Sequence, residues 1–218
     1  MNIIIMGPAG SGKGTISSTI VEKYHLTHIS TGDMFRYHIS NNTELGQLAQ
    51  QYTNAGKLVP DEVTIEMLKN RLAQDDVKNG YLLDGFPRTL AQAKAFEVLS
   101  KEINQEVDCV LSLVLPLDLL IERITGRRVC PNCGTSYHIK NVKPKQDGIC
   151  DVCGSELIQR KDDTEEKLMV RLSEHDRNTA PVIKYYDSIG LVHEIDASLS
   201  INDVNAQVSA VLDSLKHN

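Results

Sequence analysis

The chain has 218 residues, of which 41% are hydrophobic and 24% charged, a composition typical of a soluble globular protein with one domain and room for insertions. The longest apolar run, residues 110–120, contains serine, proline and aspartate and falls short of the roughly 20 apolar residues that a membrane helix needs. The first residues lack a basic segment and a cleavage site, so we expect no signal peptide and a cytoplasmic location. The net charge of −6 argues against nucleic acid as the main partner.

Short apolar runs alternate with helical repeats along the chain. Three consecutive isoleucines in the first run are typical of a strand buried on both faces. Predicted strands cover residues 2–6, 27–30, 80–84, 107–115 and 191–195. Helices are predicted after the first glycine loop, over residues 61–74 and 90–99, around residues 120–124 and at the C-terminus. A further helical stretch is predicted beyond Asp163, with an interruption at Pro181. This order predicts an α/β protein with a parallel five-stranded sheet and flanking helices.

Two stretches interrupt this alternation. One is polar and covers residues 30–59, and the other covers residues 126–163 and contains four of the five cysteines. The second stretch carries a net charge of about +2, whereas the remainder is acidic. We therefore expect a core domain of residues 1–29, 60–125 and 164–218 with two inserted pieces.

A glycine-rich segment follows the first predicted strand and opens a helix. It reads Gly7-Pro8-Ala9-Gly10-Ser11-Gly12-Lys13-Gly14-Thr15, with the spacing of a phosphate-binding loop. Glycines let main-chain N–H groups converge on an anion, the helix N-terminus adds a favourable dipole, and Lys13 adds a full charge. The alternative is a simple glycine turn with a solvated lysine. Gly14 stands where a hydroxyl ligand for Mg²⁺ is usual, and the hydroxyl falls at Thr15.

The Gly-Lys-Gly-Thr ending resembles the nucleoside monophosphate kinases, and especially the adenylate kinase family. The resemblance extends over essentially the whole chain, because further segments of that family occur in order. They are Ser30-Thr31-Gly32-Asp33-Met34-Phe35-Arg36, Gly56-Lys57-Leu58-Val59-Pro60-Asp61-Glu62, Asp84-Gly85-Phe86-Pro87-Arg88-Thr89 with Gln92, Gly126-Arg127-Arg128, and Arg160-Lys161-Asp162-Asp163 with Arg171.

The resemblance implies a P-loop enzyme with a small helical AMP-binding insertion and a lid, which transfers the terminal phosphoryl of Mg²⁺-bound ATP to AMP and maintains adenine nucleotide balance. It implies AMP contacts at Thr31, Arg36, Lys57, Leu58, Val59, Gly85, Phe86, Pro87, Arg88, Gln92, Arg160 and Arg171. It implies ATP contacts at Gly10, Ser11, Gly12, Lys13, Gly14, Thr15, Arg127, Ser136, Tyr137 and Leu199. The predicted catalytic residues are Lys13, Arg88, Arg123, Arg127, Arg160 and Arg171.

Phosphoryl transfer needs these residue types because the protein mainly positions groups and offsets negative charge. Guanidinium forks match phosphate oxygens, and the AMP phosphate attacks directly without a protein nucleophile. Asp33 and Asp84 are candidates for holding Mg²⁺ through its waters. The segment before Leu199 reads Asp-Ala-Ser rather than the Asp-Gly usual in the family, which leaves the adenine contact there open. The alternative for each arginine is a surface ion pair, which we prefer only for Arg128.

The cysteines form two near-identical knuckles. Cys130, Cys133, Cys150 and Cys153 have the spacing Cys-x₂-Cys-x₁₆-Cys-x₂-Cys, typical of tetrahedral structural zinc. Four ligands leave no open position for catalysis, so the metal would fold a lid too small for its own core. A redox pair would need only one such motif, and iron is the other metal that this spacing allows. The resemblance is to the bacterial adenylate kinases with a zinc-binding lid. We expect His138 to be a lid surface residue and Cys109 a buried core residue.

Three other hypotheses remain at this level. The chain could act on GMP, UMP or CMP, could be a nucleic-acid-binding zinc ribbon fused to a nucleotide switch, or could be an inactive nucleotide-binding regulator. The expected partners are ATP, AMP and ADP, without nucleic acid or membrane, and the expected state is a monomer.

Overall fold

The computed structural model describes residues 1–55 and 57–216. Gly56, the first residue of one segment quoted above, lies outside the described residues. Within them the elements are, in order, β1 (Asn2–Met6), α1 (Lys13–Tyr24), β2 (Thr27–Ser30), α2 (Thr31–Ser40), α3 (Glu44–Thr53), α4 (Asp61–Leu72), β3 (Tyr81–Asp84), α5 (Leu90–Glu102), β4 (Cys109–Val114), α6 (Leu117–Thr125), β5 (Arg127–Val129), β6 (Ser136–His138), α7 (Glu165–Glu174), α8 (Ala180–Ser188), β7 (Val192–Asp196) and α9 (Ile201–Leu215).

Five of these strands form one parallel sheet, as predicted from the sequence, and their order in it is β2-β3-β1-β4-β7. The first strand lies at its centre and pairs Ile3 with Leu82 on one side and with Cys109 on the other. Cys109 is fully buried, which confirms its predicted place in the core. All parallel pairings require crossover connections, and the intervening helices supply them.

The helices cover both faces of the sheet. Ile3 and Ile5 point to the face packed by α1 and α9, and Ile4 points to the face packed by α4, α5 and α8. Successive strand residues alternate between faces, so three isoleucines in a row serve two cores. Each such side chain contributes about 1.5–3 kcal/mol by leaving water. None of the helices among the described residues is long and apolar enough to span a bilayer.

Helices α2 and α3 form most of the polar stretch at 30–59. Ser30 and Thr43 cap them, each accepting a hydrogen bond from a main-chain N–H in the first turn. The two helices pack closely because Gly46 meets the main chain of His38, where a Cβ would overlap the carbonyl. A small apolar cluster containing Phe35 and Val59 lies beneath them. Met67 of α4 completes this cluster, so the stretch packs on α4 rather than around a core of its own.

The stretch at 126–163 contains the antiparallel pair β5–β6 and the four cysteines. The prediction that His138 lies on the lid surface is wrong, because this residue is only 7% exposed. Its Nδ1 accepts main-chain N–H groups of Lys140 and Asn141 at 3.1 and 3.3 Å, so its Nε2–H donates to the Glu122 carbonyl at 3.2 Å. The ring also fills the space where Gly126 lacks a side chain. His138 thus fastens the hairpin to the end of α6.

The helical stretch after Asp163 is interrupted by a π turn that ends two residues before Pro181, the predicted point of interruption. Helix α7 continues through one wide π turn at His175–Thr179 into α8. Pro181 lies in the first turn of α8, where its missing N–H leaves no helical bond unmade. The wide turn projects His175 toward the end of the sheet at which the phosphate-binding loop lies.

Candidate active site

The phosphate-binding loop connects the end of β1 to the start of α1. Gly12 is the N-cap of α1 with φ of 93°, and it offers no side-chain oxygen to the first N–H groups of that helix. Gly7 has φ of 143°, and a Cβ there would lie 2.9 Å from the Leu113 carbonyl. The loop can therefore be built only with glycine at these two positions, and it leaves N–H donors free for an anion.

Lys13 folds back over this loop. Its Nζ donates hydrogen bonds to the Gly7 and Pro8 carbonyls at 2.8 and 2.9 Å. Burial, together with the charges of Arg88, Arg171 and Arg127, lowers the pKa of Lys13 to about 8 against the opposing effect of Asp84. A phosphate that binds nearby would stabilise this destabilised ammonium group.

Residues from four separate sequence segments line one cleft beside the loop. They share a position at the carboxyl ends of β1 and β3, where open α/β sheets bind ligands. Of the predicted site residues, the cleft brings together Lys13, Leu58, Gly85, Phe86, Pro87, Arg88 and Arg171.

The arginines are held by main-chain or carboxylate oxygens. Arg88 Nε donates to the Gly85 carbonyl at 2.7 Å, and Arg171 donates to Asp162 at 3.0 Å. Arg127 forms two hydrogen bonds to Asp163, whose carboxylate is fully buried; the Nε contact is 2.8 Å. A buried carboxylate such as that of Asp163 requires a cationic partner. The ion pair therefore holds the Arg127 guanidinium group in a fixed orientation.

Arg36, Arg88, Arg127, Arg160 and Arg171 form a cluster in which the like charges repel one another, which indicates a site for an anion. Burial lowers the pKa of Arg88 and of Arg160 to about 10, and neighbouring arginines contribute in the same direction. Burial also lowers the pKa of Arg171. Burial would raise the pKa of Asp33, but its ion pair with Arg36 holds that pKa below its ordinary value. The cluster is therefore cationic in spite of its carboxylate partners, although the whole chain is acidic.

Three of the predicted AMP residues, Lys57, Leu58 and Val59, border a second hollow next to this cleft. Outside its lining, Thr31 donates to the Gly85 carbonyl at 2.9 Å, and Gln92 is 2% exposed.

On the ATP side, Arg123 bridges two main-chain segments. It donates to the Ser11 carbonyl at 3.4 Å and to the Ala197 carbonyl at 2.8 Å. This joins the phosphate-binding loop to the segment before Leu199, which is half-exposed. Gly10 and Ser11 lie within the loop, Gly14 and Thr15 lie in the first turn of α1, and Ser136 is exposed on β6.

Tyr137 differs from the others, because its side chain points into the cysteine cluster. Its hydroxyl lies 3.6 Å from Cys150 Sγ and accepts the Asp151 N–H at 2.8 Å. A contact between ATP and this residue would thus fall to its main chain.

The four knuckle cysteines meet at one point. Their Sγ atoms all lie within 4.8 Å of one another, with Cys130 to Cys153 at 3.3 Å and Cys133 to Cys150 at 3.5 Å. Four sulfurs around Zn²⁺ at about 2.3 Å would lie about 3.8 Å apart, so the donor set fits the metal. Within residues 1–55 and 57–216, no other group of three or more such ligands converges.

Two residues that border the site were not predicted. Asp61 lies in one of the segments that carry the family resemblance but was not among the predicted contacts, and His175 lies outside those segments. Their positions at the site depend on how α4 and the π turn pack, which the sequence alone does not specify.

The fold and the site define a P-loop α/β protein that binds phosphorylated nucleotides in a cationic cleft. The family profile described as adenylate kinase matches residues 5–191. The adenylate kinase of Clostridium tetani is 49% identical over 99% of this chain and 100% of its own length. The adenylate kinase of Clostridium beijerinckii is 50% identical with the same coverage, and one from Clostridium perfringens is also 50% identical. The chain belongs to the adenylate kinase family.

Proposed function

We propose that this chain catalyses the reversible transfer of the terminal phosphoryl group of ATP to AMP, which yields two ADP. The observation that carries the proposal is the single cleft in which Lys13 meets Arg88 and Arg171, next to a second hollow for the acceptor. The relationship to adenylate kinases over the full chain supports the same reaction.

The chain's own residues supply positioning and charge. Lys13 and the loop N–H groups bind the ATP phosphates, and Arg36 and Arg88 bind the AMP phosphate. Arg123 and Arg127 lie against ATP, and Arg160 and Arg171 converge on the transferring group. The transition state spreads negative charge over the phosphoryl oxygens. Guanidinium groups that repel one another in the free enzyme are brought into contact with this charge and stabilise the transition state.

Asp84 and Asp33 are the groups proposed to hold Mg²⁺ through its waters. Asp84 ends β3 beside Lys13, and its side chain is largely buried, which suits a fixed outer-sphere position. When bound with ATP, Mg²⁺ neutralises phosphate charge.

The proposed organisation has residues 30–59 as the AMP-binding piece and 126–163 as the lid on the core domain. Lid closure would exclude water, which competes with AMP for the phosphoryl group. Zinc on the four cysteines would fold the lid without taking part in the chemistry. Ser136, Tyr137 and Leu199 would contact the ribose and base of ATP. The proposed state is a cytoplasmic monomer.

The test combines metal analysis with an assay of ADP formation from ATP and AMP, before and after chelation. We expect about one zinc per chain and faster phosphorylation of AMP than of GMP, CMP or UMP. A different preferred acceptor would overturn the choice of substrate. Tight, salt-sensitive binding of DNA or RNA without kinase activity would instead support the nucleic-acid alternative.

A further inference from the structure

The carboxylate of Asp61 joins two side chains of a neighbouring helix. Its Oδ1 accepts a hydrogen bond from Gln92 Nε2 at 2.7 Å, and its Oδ2 accepts one from Thr89 Oγ1 at 2.8 Å. Gln92 is almost fully buried, and its Oε1 accepts the main-chain N–H of Arg88 at 2.7 Å. These bonds connect the start of α4 to the start of α5 and to the loop that carries Arg88.

Each of the two hydrogen-bond partners of the Gln92 amide has a fixed role, one as acceptor and one as donor. A carboxylate accepts hydrogen bonds and a main-chain N–H donates them. If the amide turned by 180°, its oxygen would face the Asp61 carboxylate and its NH₂ would face the Arg88 N–H. Both contacts would then be repulsive, so the partners determine which way the amide points.

We propose that Asp61 is a positioning residue that holds the Gln92 amide in one orientation and thereby sets which purine the acceptor site takes. The inference rests on the proposed function, which puts Gln92 at the adenine of AMP. Asp61 and Thr89 border the same hollow as Lys57 and Leu58, so these two members of the hydrogen-bonded group lie at the proposed acceptor site.

The chemistry of the purine edge explains why orientation matters. Once the hydrogen bonds to Asp61 and from the Arg88 N–H are made, the amide still has one N–H and one oxygen lone pair for a ligand. Adenine offers an acceptor at N1 and a donor at N6, whereas hypoxanthine offers a donor at N1 and an acceptor at O6. An amide fixed in one orientation fits one of these edges and opposes the other, but an amide free to turn fits both.

A purely structural role for Asp61 is the alternative. Asp61 lies in the first turn of α4, where any carboxylate is stabilised by the helix dipole. Glu62 shares that turn and makes no hydrogen bond to Thr89 or Gln92 within the described part of the chain. Glu62→Ala is therefore a matched control for loss of charge at the helix start.

The experiment measures kcat/KM for AMP and for IMP, with ATP as donor, in the wild type, Asp61→Ala, Asp61→Asn and Glu62→Ala. We expect the AMP-to-IMP ratio to fall at least about tenfold in Asp61→Ala, because a mismatched pair of hydrogen bonds no longer rejects IMP. Asparagine can accept from Gln92 through its oxygen and donate to Thr89 through its NH₂, so Asp61→Asn should keep the ratio within about threefold. Glu62→Ala should leave the ratio unchanged.

An unchanged ratio in a folded Asp61→Ala enzyme would overturn the inference and assign Asp61 to helix stability alone. If the alanine variant does not fold, Asp61→Ser is measured instead, since serine is well tolerated at helix starts and is too short to hold both partners. A wild type that does not phosphorylate AMP would overturn the proposed function, and this inference with it. A wild type that uses AMP, with a ratio insensitive to position 61, would overturn the inference alone.

Discussion

Replacing Lys13 with methionine should abolish ADP formation and yet make the nucleotide-free protein more stable. In the free protein the ammonium group is buried among arginines, which lowers its pKa from 10.5 to about 8. At 1.36 kcal/mol per pKa unit, keeping that group charged at pH 7 costs about 3 kcal/mol. Methionine keeps the aliphatic packing and removes the charge, but it leaves the Gly7 and Pro8 carbonyls to water. We therefore expect a net gain of about 1–2 kcal/mol.

The pH dependence identifies the cause. Below pH 8, Lys13 is protonated in both the folded and the unfolded chain, so the penalty is constant. Between about pH 8 and 10.5 the unfolded chain binds more protons than the folded one, so the stability of the wild type rises with pH. The advantage of Lys13→Met should shrink across that window.

Urea unfolding followed by circular dichroism, without nucleotide and with zinc present, measures both effects. Lys94→Met, at an exposed position on α5, is the control and should show no such pH-dependent difference. The reasoning would be refuted if Lys13→Met were less stable than the wild type at pH 7, or if its advantage did not change with pH.

Three further predictions concern stability. Cys150→Ser should abolish the zinc that we expect in the wild type, measured by metal analysis, and should lower the melting temperature more sharply than the activity measured at low temperature. Asp163→Asn should cost about 3 kcal/mol in urea unfolding, because it removes the buried partner of Arg127, whereas Asp75→Asn in an exposed pair should cost less than about 1 kcal/mol; equal costs would contradict this. Gly46→Ala should cost about 2 kcal/mol by the same measurement, since its Cβ overlaps the carbonyl of the helix packed against it; a neutral result would show that α2 and α3 separate easily.

Regular elements were well predicted because their signals are local. The sequence placed every strand of the main sheet within two residues of its observed ends. The signal is clearest for the three central strands, since a strand buried on both faces reads as a continuous apolar run. The phosphate-binding loop was equally readable, because Gly12 and Lys13 are neighbours and their geometry is set by the turn itself. The helices inside the stretch at 30–59 were less evident, since their apolar positions serve only a small core.

Side-chain partnerships across the fold were not readable. His138 is buried against α6, although its sequence neighbours are polar. Tyr137 turns its hydroxyl toward Cys150 rather than into the cleft. Asp61, a good helix-starting residue, is also held by Gln92 from a helix 31 residues away. Each position depends on which elements meet after folding.

The sequence by itself determined the α/β class, the phosphate-binding loop, the four-cysteine spacing and the family, because each resides in short segments whose chemistry follows from their order. Net charge and composition could not reveal the cationic cleft, since the chain as a whole carries −6. Only the tertiary structure decided that Lys13, Arg88 and Arg171 share one cleft and that Asp61 accepts a hydrogen bond from Gln92. The physical reason is that electrostatic and hydrogen-bonding effects act over a few ångströms, and the parallel sheet alone brings these distant segments within that range.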